Sequence, residues 1–103
     1  MSVALLVERN GEENISIPVA TEVMFRRRWL PVCIELNLEW IPLFESGLPV
    51  SEQDLPLILE ELHRFELWVQ QREPNSETAR RANTLADALR VINLNEGVSA
   101  YIG

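Results

Sequence analysis

The stretch SVALLVERNGEENISIPV, residues 2–19, decides the fold prediction because it has the pattern of a β-hairpin. Residues 2–8 are rich in Val and Leu, which favours a strand. Asn10-Gly11 follows, a pair that readily adopts the positive φ angles of tight hairpin turns. In residues 14–19 apolar and polar side chains alternate, as in a strand with one buried face. The sequence therefore predicts two N-terminal strands joined by a turn.

The segment after the hairpin, residues 22–36, repeats large apolar side chains at helical spacing. Thr21 is a good N-cap for this helix, because its hydroxyl can accept from the unpaired N–H groups of the first turn. Asn37 readily adopts the left-handed conformation that ends many helices. Pro31 removes one backbone donor inside the helix, so we expect the helix to bend or break near this residue.

Two more helices and two more strands complete the predicted fold. Residues 55–72 and 76–92 each have one apolar face, and the short break between them favours an antiparallel pair. Residues 38–44 are predicted to form a third strand at a sheet edge, because they include a proline. Residues 98–102, after a turn, form the last strand. The order ββαβααβ predicts a single α+β domain over residues 1–103, with a small mixed four-stranded sheet and helices on one face.

The composition is that of a small globular protein that needs no disulfide or metal to fold. The chain has 103 residues and 47% of them are hydrophobic, which is enough for one core. Cys33 is the single cysteine, so no intrachain disulfide can form, and this favours a reducing, cytoplasmic setting. The apolar run at residues 3–7 is too short for a signal-peptide core or a membrane span.

The net charge of the chain is negative, and this limits the classes of partner that it can bind. Sixteen acidic residues oppose nine basic residues, giving a net charge of −7, and every basic residue is arginine. An acidic surface disfavours nucleic acid and anionic membranes as partners and favours basic proteins. Because the sequence contains no lysine, Schiff-base chemistry and a lysine general base are excluded.

No residue pattern identifies a catalytic, cofactor or metal site. His63 is the only histidine, and it forms a single Glu-x-x-His pattern with Glu60, whereas di-iron bundles need two copies. Cys33 lies on the apolar stripe of the first helix, which favours a core cysteine over a nucleophile. The four glycines stand alone, so no phosphate-binding loop is recognised. We therefore expect no cofactor and no metal, and a non-enzymatic protein is favoured.

Arginine and tryptophan are enriched at interface hot spots, and both occur at prominent places in this sequence. Three successive arginines lie on the first helix, where two of them are expected to point outward; pairing with surplus acids would also explain them. The apolar stretch 40–49 carries two prolines and is expected at a sheet edge or in a surface loop. The candidate interaction residues are Arg26, Arg27, Trp40, Pro42, Phe44 and Trp68.

These observations leave three functional hypotheses open. The first is a protein-interaction module, such as a small inhibitor, an immunity or antitoxin-like protein, or an adaptor, and it follows from the charge, the tryptophans and the lack of catalytic groups. The second is a homo-oligomeric structural protein, in which the partner is a second copy of the chain. The third is a small-ligand binder or enzyme with a carboxylate site in a concave pocket. The sequence favours them in that order.

Overall fold

A computed structural model of the chain describes residues 2–10, 14–94 and 97–103. Within these ranges the elements follow the order strand, strand, helix, strand, helix, helix, strand, which confirms the predicted α+β class and the order ββαβααβ. The turn predicted at Asn10-Gly11 lies partly outside the described residues. No helix in the described part of the chain is both long enough and apolar enough to cross a membrane.

The strands in the described ranges form one four-stranded sheet with the order β2-β1-β4-β3. Their bounds are Ser2–Arg9 for β1, Ile15–Thr21 for β2, Leu48–Val50 for β3 and Val98–Ile102 for β4. The predicted hairpin is β1–β2, with Leu5 opposite Ile17. All three pairings are antiparallel rather than mixed, because β4 lies between β1 and β3 and runs opposite to both.

One face of the sheet is buried and the other is open. On β1, Val3, Leu5 and Val7 are buried, whereas Leu6 between them is 41% exposed. Successive side chains of a strand point to opposite faces, so this alternation shows that the core lies on one side of the sheet only. The hydrophobic core is therefore formed between that face and the helices.

Both outer strands of this sheet contain a proline. In β2 the residue is Pro18, whose carbonyl accepts a hydrogen bond from Nη1 of Arg81 at 3.4 Å. In β3, which is only three residues long, the residue is Pro49. A proline has no backbone N–H, so each edge of the sheet lacks one ladder donor.

The first helix, α1, covers residues 22–36 in three consecutive segments. They are an α-helical turn Glu22–Met24, a π-helical segment Phe25–Trp29 and an α-helix Leu30–Leu36. The predicted caps are confirmed. Thr21 Oγ1 accepts from the Met24 N–H at 3.1 Å, and Asn37 adopts the left-handed conformation with φ 55°.

α1 continues through Pro31, and the helix widens just before this residue. The Leu30 N–H donates to the carbonyl of Phe25, five residues earlier, which is the π-helical pattern. Pro31 has no N–H to offer the carbonyl four residues before it. The chain stays helical through Pro31, so the helix changes its type before this residue and does not break there.

The other two helices, α2 (Leu55–Arg72) and α3 (Glu77–Val91), are joined by a short connection and pack against each other. Ser76 caps α3, since its hydroxyl accepts from the Ala79 N–H at 3.2 Å. α1 packs on α2 through stacked rings of Trp29 and Phe65, with centroids 4.5 Å apart. Trp29 thereby connects two helices at the centre of the core.

Residues 38–44 do not form the strand that we predicted. Ile41–Phe44 is a 3₁₀ helix, and β3 supplies the third strand instead. Pro42 fits there because it lies in the first helical turn, where a missing N–H leaves no acceptor unpaired. The buried residues recur every third position, which is the period of a 3₁₀ helix rather than of a strand. They are Leu38, Ile41 and Phe44.

A buried carboxylate on α2 holds this 3₁₀ helix in place. Glu61 is only 9% exposed, and its Oε2 accepts from the Glu39 N–H at 2.8 Å. Its Oε1 accepts from the N–H groups of Trp40 at 2.8 Å and Ile41 at 3.1 Å. The first N–H groups of a helix have no partner within it, and a charged acceptor binds them more strongly than a neutral one. Glu61 therefore acts as a cap supplied from 20 to 22 residues away in sequence.

We expect Glu61→Gln to lower the free energy of unfolding by about 2–4 kcal/mol, because an amide has one acceptor oxygen where the carboxylate uses two. Urea denaturation measures the change. The matched control is Glu60→Gln, since Glu60 is the exposed neighbour, and its effect should stay within about 0.5 kcal/mol. Equal effects of the two substitutions would contradict the capping role.

Candidate interaction surface

Three of the predicted interaction residues belong to the segment around the 3₁₀ helix. Phe44 is fully buried in the core, so its side chain cannot contact a partner, and the prediction for this residue is corrected. The three-residue period turns Phe44 inward on the same side as Ile41. Trp40 and Pro42 are half-buried, and Trp40 packs against the core.

Arg26 and Arg27 are exposed on α1. Arg26 is already bound within the chain, because its Nε donates to Glu45 at 2.6 Å and its Nη2 lies 2.8 Å from Glu22. The hydrogen bond that Arg26 donates to Glu45, the charge of Glu45 and then the charge of Glu22 raise the pKa of Arg26 above its usual value. This arginine therefore links α1 to the turn after the 3₁₀ helix.

Trp68 is half-buried on α2, and one face of its ring is covered. The guanidinium of Arg72 stacks on the indole at 3.7 Å from its centroid, and its Nη1 donates to the Trp68 carbonyl at 3.2 Å. Trp68 also lines a cleft of about 110 Å³ together with Arg28 and Glu73. Arg28 and Glu73 form a long ion pair of 3.6 Å across this cleft.

Cys33 and His63 are the residues best suited by type to catalysis or metal binding, and neither lies in a reactive arrangement of described residues. Cys33 is 1% exposed in the core, and burial, followed by the negative charge of Glu61, raises the pKa of its thiol to about 12. His63 is exposed on α2. Within residues 2–10, 14–94 and 97–103, no group of three or more His, Cys, Asp or Glu side chains could hold a metal ion.

Cys33 should react with a disulfide reagent only when the protein unfolds, because the buried thiol stays protonated. The folded pKa exceeds the unfolded value of about 8.5, so the folded state keeps a proton that the unfolded state releases. Stability should therefore fall between about pH 8.5 and pH 12, by up to about 1.4 kcal/mol per pH unit. Urea titrations of the wild type and Cys33→Ala from pH 7 to pH 10 isolate this slope; identical slopes would contradict it.

The open face of the sheet carries a continuous line of side chains that the sequence did not single out. We call it the open-face row: Ser16, Leu6, Tyr101 and Pro49. Each member is the direct cross-strand partner of the next, so neighbouring side chains lie within contact distance. Leu6 and Tyr101, at the centre, are each 41% exposed. The row therefore presents an apolar and aromatic surface to solvent.

The ring of Tyr101 packs closely against two glycines. A Cβ on Gly47 would collide with the Tyr101 hydroxyl, and a Cβ on Gly103 would collide with the edge of the same ring. The ring therefore lies against the backbone at both places. Gly47 also has φ +105°, a conformation that residues with a side chain rarely adopt. The aromatic centre of the row can lie this close to the backbone because neither residue has a side chain.

Comparison with known protein families, with curated proteins and with solved structures found no match. Function is therefore inferred from the surfaces of the chain itself. The carboxylate of Glu8 lies on the same face of the sheet, since Glu8 is two residues along β1 from Leu6 and is opposite Ser99. An apolar centre with a carboxylate at its border has the layout of a protein contact surface.

Gly47→Ala should lower the free energy of unfolding by about 1–3 kcal/mol, because the φ angle is strained for alanine and the Tyr101 ring must move. Urea denaturation gives the stability change, and the Tyr101 ring resonances in NMR spectra report the displacement. Glu52→Ala, in an exposed turn, is the control that should leave both unchanged. Unmoved Tyr101 resonances in Gly47→Ala would contradict the contact.

Proposed function

We propose that the chain is a non-enzymatic protein-interaction module, and that the open-face row is its contact surface for a basic partner protein. The observation that carries the proposal is the pair of Leu6 and Tyr101, which lie side by side on a sheet face that no described element covers. Tyrosine is among the residues most enriched at the energetic centres of interfaces. Leucine beside it adds apolar area that a partner can remove from water.

The contacts of Tyr101 with Gly47 and Gly103 support a role in binding. Neither glycine has a side chain, so the ring can lie close to the backbone while 41% of the residue stays exposed. A side chain that already packs on the scaffold loses less conformational entropy when a complex forms.

The charge of the chain selects the chemistry of the partner. The net charge is −7, and the ion pairs among the described residues include four of the nine arginines. These are Arg26, Arg28, Arg81 and Arg90. Two copies of such an acidic chain repel each other, whereas a partner with arginine or lysine around an apolar patch is attracted. Glu8 places one carboxylate on the open face itself.

The setting that we propose is the cytoplasm. Cys33 is a free, buried thiol, which needs neither an oxidising environment nor a partner cysteine. The acidic surface is also unsuited to nucleic acid and to anionic membranes, so we propose neither as a partner.

The test compares the wild type with Leu6→Thr/Tyr101→Thr, which removes the apolar centre of the row while keeping residues that favour strands. Each protein is immobilised and exposed to lysate at low and at high salt, and the retained proteins are identified by mass spectrometry. We expect the wild type to retain one stoichiometric basic protein, less at high salt, and the double variant to lose it.

The matched control is Val91→Thr, because Val91 is 81% exposed at the end of α3, on a helix rather than on the sheet. It should retain the same partner as the wild type. Retention that survives Leu6→Thr/Tyr101→Thr would overturn the proposed surface. If light scattering gives a doubled mass for the wild type but not for the double variant, the partner is a second copy of the chain instead of a basic protein. If the wild type retains no protein from the lysate, the interaction-module proposal is overturned.

A further inference from the structure

A cleft of about 140 Å³, which we call the α3 cleft, lies between β2 and the first turn of α3. None of its lining residues belongs to the open-face row. Its walls are mostly apolar and include Val19 and Ala20 of β2 and Met24 and Trp29 of α1. An apolar cavity of about 150 Å³ can hold a molecule the size of benzene, so the α3 cleft has room for one small organic ligand.

Thr78 is a polar residue at the edge of this cleft with an unused hydrogen-bonding group. It is 8% exposed, and its hydroxyl has no hydrogen-bond partner among the described residues. No fully enclosed side-chain polar atom in the described ranges lacks a partner, so the hydroxyl must keep contact with solvent. Thr78 is also the second residue of α3, where backbone N–H groups are unpaired and the helix dipole favours an anion.

Arg81 supplies a positive charge on the same side of α3, since it lies three residues after Thr78. Within the described part of the chain its guanidinium makes two long contacts, 3.4 Å to the Pro18 carbonyl and 3.5 Å to the Glu77 carboxylate. A guanidinium has five N–H donors in a planar fork, so this group retains donors for a ligand. The α3 cleft therefore combines an apolar chamber with a cation and a hydroxyl.

We propose that the α3 cleft binds a small monocarboxylate with an apolar body of about five or six carbons. The carboxylate contacts Arg81 and the hydroxyl of Thr78, and the hydrocarbon part contacts Met24 and the Trp29 ring. Glu77 is the opposing charge, and its side chain is 63% exposed and free to turn toward solvent.

Thr78 also borders the cleft beside Trp68, which is the alternative place for an anion. That cleft lies at the C-terminal end of α2, where the helix dipole is negative. Arg28 pairs with Glu73 there at 3.6 Å, and Arg72 is stacked on the Trp68 ring. The helix dipole favours the α3 cleft as the anion site.

The experiment titrates ¹⁵N-labelled full-length protein with sodium hexanoate and, separately, with 1-hexanol at constant ionic strength. We expect saturable shifts of the Ala20, Thr78 and Arg81 amide signals with hexanoate and at least about fivefold weaker binding of hexanol, which lacks the charge. Thr78→Val keeps the shape of the side chain and should weaken hexanoate binding about threefold or more. Arg81→Gln should weaken it about tenfold.

Two further variants distinguish hexanoate binding at the α3 cleft from a general effect of protein charge on affinity. Glu77→Gln should strengthen hexanoate binding, because it removes the opposing carboxylate. Arg80→Gln, on the exposed side of α3, should change the dissociation constant by less than about twofold. The proposal is overturned by an absence of saturable shifts up to about 50 mM, by shifts centred on Trp68 and Arg72, or by equal binding of hexanol and hexanoate. Unchanged affinity in both Thr78→Val and Arg81→Gln also overturns it.

Discussion

The carboxylate of Glu61 is the interaction on which the middle of this fold depends. It receives three backbone N–H groups from the segment that follows α1, and it does so from the buried side of α2. A buried carboxylate is costly unless its oxygens are satisfied, and here the backbone supplies that satisfaction. The two halves of the chain are consequently fixed to each other by a polar contact inside an apolar core. The segment that Glu61 binds leads directly into β3, which pairs with β4.

α1 shows how the chain resolves a conflict between sequence and helix geometry. Pro31 is incompatible with an uninterrupted α-helical ladder, yet the residues around it must remain helical to bury Phe25 and Trp29. The π-helical segment keeps them helical, because its N–H groups bond to carbonyls five residues earlier and the turn is wider just before the proline. The rings of Phe25 and Trp29 remain stacked at 5.7 Å, and the core stays continuous from α1 to α2.

The elements with strong local signals were predictable, and those fixed by distant partners were not. The hairpin, the caps at Thr21 and Asn37 and the apolar faces of α2 and α3 follow from patterns within a few residues. The segment 38–44 resembled a strand because its capping group, Glu61, lies far away in the chain. The spacing of Glu60 to His63 is what the sequence makes visible, whereas the neighbouring carboxylate of Glu61 carries the structural role.

The exposed and buried surfaces could not be predicted from the sequence for a similar reason. Leu6 and Tyr101 become neighbours only once β4 is inserted beside β1, and strand order cannot be read from local patterns. Phe44 looked like a surface residue because the predicted strand placed it at a sheet edge. The three-residue period of the 3₁₀ helix turns the Phe44 side chain into the core instead. The sequence indicates this period only weakly.

The prolines of the two outer strands decide how another chain can approach this sheet. An added strand needs an unbroken row of donors and acceptors along an edge, and Pro18 and Pro49 interrupt that row on both sides. Arg81 already occupies one of the carbonyls that such a strand would use. The missing donor on each outer strand disfavours edge-to-edge pairing with another sheet. Any chain that binds it must recognise side chains on its face instead of extending its backbone ladder.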